Sequence, residues 1–117
     1  MQEDHGAIHQ VAKMATTLPS NREPTHPGEM LNAEFIEPLN LTQTDVAHRL
    51  GISFPRLNEI INRKRAVTPD TALRLEQLFG VAADFWLTLQ LHWDLWHAMR
   101  SDTAKAIKRI KRIRQTA

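Results

Sequence analysis

Residues 43–62, Gln-Thr-Asp-Val-Ala-His-Arg-Leu-Gly-Ile-Ser-Phe-Pro-Arg-Leu-Asn-Glu-Ile-Ile-Asn, satisfy the demands of two short helices packed across a tight turn. Such a pair needs a small side chain where the helices cross, and Ala47 stands there. The turn needs a residue that accepts positive φ, which Gly51 provides. Apolar residues must lie beneath the pair, and Val46, Leu50, Ile52, Leu57 and Ile60 fall at those positions. These constraints are met together and without a gap, so the stretch reads as a helix-turn-helix.

The punctuation on either side is helical too. A first helix is expected over 28–37, stopped by Pro38, with Met30, Leu31 and Phe35 facing the core. Thr42 caps the second helix, with Asp45 placed to return a bond to the cap. That helix ends at Leu50, before Gly51. Ser53 caps the third, which tolerates Pro55 in its first turn and runs to about Asn62. Thr68-Pro69-Asp70 opens the fourth with a cap, an N1 proline and a first-turn anion, and Gly80 closes it. A fifth is expected over 83–99, and a continuation over 101–114 sets Ala104, Ile107 and Ile110 on one stripe among cations. No stretch alternates as a strand does. The expectation is an all-α, five-helix domain over residues 25–100. An N-terminal arm, 1–24, precedes it with a faint helical beat at Ile8, Val11, Ala12 and Ala15, and a basic helical extension, 101–117, follows.

At 117 residues the chain holds one such domain with its ends. The absence of cysteine excludes a disulfide scaffold, a thiol nucleophile and a Cys-containing zinc finger. No apolar run reaches the roughly 20 residues of a membrane helix, and no signal-peptide pattern opens the chain. The expectation is a cytoplasmic protein with no membrane partner. The net charge of +2 conceals a division: residues 1–102 carry nine Lys/Arg against thirteen Asp/Glu, whereas 103–117 carry six cations and no anion. Within the acidic body, residues 42–66 reverse sign with five cations against two anions. A local basic patch of this kind is an electrostatic footprint for a polyanion.

The second helix of a helix-turn-helix enters the DNA major groove with its first turns leading. With Leu57, Ile60 and Ile61 turned inward, Ser53, Phe54, Pro55, Arg56, Asn58, Glu59 and Asn62 occupy the other faces. Arg56 is a candidate for bidentate contact with guanine, Asn58 for adenine, and Phe54 for a thymine methyl. Gln43 is placed to touch a phosphate, and Arg63, Lys64 and Arg65 form a cationic loop suited to the backbone. Glu59, awkward beside phosphates, could orient Arg56 across the helix face.

Residues 85–99 hold all three tryptophans, and their large apolar side chains wrap nearly the whole helical wheel. One face cannot bury them, so a homodimer through Trp86, Leu89, Trp93 and Trp96 is expected. His5 and His9 share an i,i+4 spacing, and His92 and His97 are five apart, without a convincing third ligand, so no metal and no cofactor are expected. Neither a phosphate-binding glycine loop nor a nucleophile elbow is present, and nothing reads as an enzyme.

The chain also resembles a known family. The run His26-Pro-Gly-Glu-Met-Leu, then Phe35-Ile-Glu-Pro-Leu, the helix-turn-helix, Asn62-Arg-Lys-Arg-Ala-Val-Thr-Pro-Asp-Thr-Ala-Leu-Arg-Leu, Phe79-Gly and Phe85-Trp-Leu-Thr-Leu-Gln90 is similar to the HigA antitoxins. These are a branch of the Xre, lambda-repressor-like helix-turn-helix proteins. The resemblance covers roughly residues 25–97. It implies a dimeric bacterial antitoxin that binds a HigB-like, RelE-like mRNA-cleaving toxin and represses their shared operon through operator DNA. Carried over by position, its DNA-facing set falls on Gln43, Ser53, Phe54, Pro55, Arg56 and Asn58. Phe54-Pro55 replaces a small polar pair, and Ala82-Ala83 replaces the Ser/Thr often found before the tryptophan helix. A stand-alone Xre-type regulator without a toxin is the alternative.

Overall fold

The computed structural model describes residues 21–114, and all regular structure among them is helical. The helices are α1 (Pro27–Leu31), α2 (Gln43–Leu50), α3 (Phe54–Ile61), α4 (Pro69–Phe79), α5 (Ala83–Ala98) and α6 (Ala104–Lys108), with a π-helical turn (Asn32–Ile36) directly after α1. The helical beat in the arm and the His5/His9 pair lie outside the described residues. No helix among those described is long and apolar enough to cross a membrane.

Local chemistry places each element. His26 caps α1: its Nδ1 accepts from the Gly28 N–H at 2.9 Å, and the Glu29 carboxylate accepts from the His26 N–H at 3.3 Å. The helix expected over 28–37 continues past α1 only as a π turn, which buries the adjacent Phe35 and Ile36 together. Thr42, Ser53 and Thr68 accept from backbone amides as the N-caps of α2, α3 and α4. Asp45 does not return a bond to Thr42; its carboxylate pairs with Arg49 one turn on, at 2.8 Å. Gly51 takes the left-handed conformation (φ 73°) that turns α2 into the approach to α3.

Trp86, Leu57, Leu75, Val46 and Ala72 are fully buried at the centre. Phe35 and Phe85 pack on Trp86 at 5.3 and 5.0 Å. Gly28 sets the height of the first layer: a β-carbon there would overlap the Ile60 carbonyl, so only glycine lets α1 press on the α3 backbone. The extension departs from expectation. Its helix is five residues long and begins only after a break at Ser101–Thr103. Ile107, Ile110 and Ile113 are exposed, and a short helix with no buried face has little to hold it.

Candidate nucleic-acid interface

The leading edge of α3 is open to solvent. Ser53, Phe54 and Pro55 are all exposed, and the Phe54 ring keeps 46% of its surface accessible. The Ser53 hydroxyl accepts from the Arg56 N–H at 3.2 Å, which fixes the first turn. Gln43, at the head of α2, lies beside this edge and accepts from the Asn58 amide at 2.9 Å. Asn62 in turn donates to the Asn58 Oδ1 at 3.1 Å. The two Asn/Gln residues expected to face DNA are therefore one hydrogen-bonded unit across the helix pair.

Arg56 is placed differently from its expected role as a guanine reader. Its Nη2 donates to the buried Thr71 hydroxyl at 2.6 Å and to Asp70 at 3.2 Å. Asp70 also pairs with Arg74 at 2.9 Å, and Arg74 donates to the Leu50 carbonyl at 2.9 Å. The hydrogen bonds from Arg74 and then Arg56 hold the Asp70 carboxyl below its ordinary range. This chain of contacts ties α3, α4 and the end of α2 together. Glu59 does not orient Arg56; it pairs with Arg65 at 2.7 Å. Sequence reasoning missed the contacts of Arg56 with Asp70 and Thr71 and that of Arg74 with Leu50, because partners 14, 15 and 24 residues apart leave no local signal.

Beyond α3, Arg63 adopts a left-handed backbone (φ 64°), pairs with Glu23 at 3.5 Å and lies 5.9 Å from the Trp93 ring. Lys64 is exposed and makes no ion pair among the described residues. Gln90, read only as part of the family pattern, is the buried anchor of the following loop. Its Oε1 accepts from the Val67 N–H at 2.8 Å and its amide donates to Asp94.

The expected dimer set divides. Trp86 (0% exposed) and Leu89 (4%) belong to the chain's own core, because the other helices do surround the first half of α5; neither has surface to offer a partner. Trp93 is half-buried, edge-on to His26 at 4.9 Å, and Trp96 lies under the Arg100 guanidinium at 3.8 Å. What α5 leaves exposed is an i,i+4 stripe, Leu91, Leu95 and Met99. It continues into an apolar groove with Ala98, Ala104 and Ile107.

The Helix-turn-helix family profile matches residues 33–86, from the π-helical turn to the start of α5. Antitoxin HigA-1 of Vibrio cholerae is 32% identical over 91 residues, 76% of this chain and 86% of that protein. The chain belongs to the HigA-like helix-turn-helix family. Virulence-associated protein I of Dichelobacter nodosus is 44% identical over 70 residues, 60% of this chain and 65%, just under two thirds, of that protein. Among solved structures, Pseudomonas aeruginosa antitoxin HigA with the higBA promoter superposes with a TM-score of 0.71 at 32% identity, covering 75% of this chain and 96% of that one.

Proposed function

We propose that this HigA-like chain is the antitoxin of a type II toxin-antitoxin module. As a homodimer it represses its own operon by sequence-specific DNA binding, and it neutralises a HigB/RelE-like, mRNA-cleaving toxin. It acts in the bacterial cytoplasm, on the nucleoid when bound to its operator. The observation that carries the reading is the open, capped head of α3, on a fold shared with an antitoxin solved on promoter DNA. Gln43, Ser53, Phe54, Pro55 and Asn58 face the groove, with Arg63 and Lys64 on the phosphate wall. Arg56 acts behind this surface by holding α3 on α4. Dimerisation uses the Leu91, Leu95 and Met99 stripe, with Trp96 at its edge, and fixes the spacing of two recognition helices.

The test is co-expression with the product of the neighbouring reading frame. That product alone arrests growth and cleaves mRNA; with this chain present, growth resumes and the two co-purify. Continued arrest, with no complex, supports the stand-alone regulator instead.

A further inference from the structure

The head of α3 is chemically unusual for a surface that reads bases, because several of its polar groups already have partners within the protein. Ser53 is used as the cap. Pro55 carries no polar side-chain group and no backbone N–H. Arg56 is held by Thr71 and Asp70, and Asn58 has its amide nitrogen on Gln43 and its amide oxygen under Asn62. Glu59 is neutralised by Arg65. Bidentate readout by Arg56 would require giving up a contact to a buried hydroxyl, and readout by Asn58 would compete with two existing bonds.

Beside these partly engaged groups stands an exposed apolar pair. The Phe54 ring is nearly half exposed at the first helical position, beside the exposed Pro55, and the Ser53 cap and the pyrrolidine ring both fix its backbone. An aromatic ring at the point that leads into the groove is placed to meet an apolar partner there. The major groove edge offers a single apolar group, the C5-methyl of thymine.

We infer that Phe54, packed beside Pro55, is a specificity-determining residue that reads the 5-methyl group of a pyrimidine in each half-site. This rests on the DNA-binding reading above and adds to it the chemical group that is recognised. Hydrogen-bond readout by Arg56 then contributes little to base choice.

The experiment uses the full chain and a duplex selected by it from a randomised library. Each thymine of the selected duplex is replaced singly by deoxyuridine, which removes the methyl and nothing else, and affinities are measured by fluorescence anisotropy. One symmetry-related pair of thymines is expected to be sensitive. Burying a single methylene-sized group corresponds to about fourfold in affinity per half-site and roughly fifteenfold for both. At that pair, 5-methylcytosine is expected to bind more tightly than cytosine. Phe54→Ala, at a half-exposed position, should fold as the wild type by circular dichroism and lose the difference between thymine and uracil. Phe54→Leu should retain part of it. If no thymine is uracil-sensitive, or if Phe54→Ala keeps the full sensitivity, the inference is overturned while sequence-specific binding stands. If the library yields no preferred sequence, the DNA-binding reading falls and the inference falls with it.

Discussion

Gly28 and Arg56 do their work behind the exposed head of α3. The Gly28 α-carbon sits against the Ile60 backbone with no room for a side chain. Gly28→Ala should therefore destabilise the fold by about 2 kcal/mol or more, since the strain falls on backbone rather than on a yielding side chain. Thermal unfolding checks this, and an unchanged melting temperature would refute it. Arg56 and Lys64 separate the structural from the electrostatic. Arg56→Ala should cost about 1 kcal/mol of stability through the lost Thr71 and Asp70 bonds, discounted for their partial exposure. It should leave the ratio of operator to random-DNA affinity close to that of the wild type. Lys64→Ala should leave stability within about 0.5 kcal/mol, weaken all DNA alike and reduce the salt slope by about 0.9. Melts, with titrations at two salt concentrations, distinguish them. An Arg56→Ala variant that melts normally but loses only operator affinity would return Arg56 to the bases.

At the scale of elements, α1 carries a pH dependence. Burial, helped by Arg63, pushes the His26 imidazole below its ordinary value of 6.5, against the opposing pull of Glu29, Asp94 and Glu23. The unfolded chain therefore binds this proton more readily than the folded one. The contribution to stability is complete above pH 6.5 and is lost as the pH falls through the window down to the lowered folded value. The decline is at most about 1.4 kcal/mol per pH unit for one group. His26→Asn keeps an acceptor for the Gly28 N–H and should remove this part of the slope below pH 6.5, as read from denaturant midpoints. An identical slope in the variant would assign it to another group. The elements also divide by how they could be read. Thr42, Ser53, Thr68, Gly51 and Gly80 announce their helix ends because caps and left-handed turns are local chemistry. The π turn after α1 and the Arg56–Asp70 link between α3 and α4 are set by tertiary packing, which no single window contains. The extension is shorter than its pattern suggests for the converse reason: Ala104, Ile107 and Ile110 have helical spacing, but the fold gives most of that stripe nothing to pack on.

For the whole molecule the decisive question is how two recognition helices are held at one spacing. The wheel of α5 pointed to a partner surface, but its tryptophans misdirected the choice of residues, since Trp86 fills this chain's own core. Leu95, 44% exposed at the centre of the remaining stripe, is the better probe. If the proposed dimer forms through this stripe, Leu95→Glu should make the chain monomeric in sedimentation at micromolar concentration and weaken operator binding without lowering thermal stability in proportion. A variant that stays dimeric would place the interface elsewhere. The proposed function rests above all on operator binding by two copies of this chain. A titration of the duplex immediately upstream of this chain's own coding sequence, against a scrambled duplex of the same composition and at the same salt, measures it. Two chains per duplex are expected, with an affinity for the upstream sequence at least roughly a thousandfold above that for the scrambled one. Equal affinities for the two duplexes would contradict it.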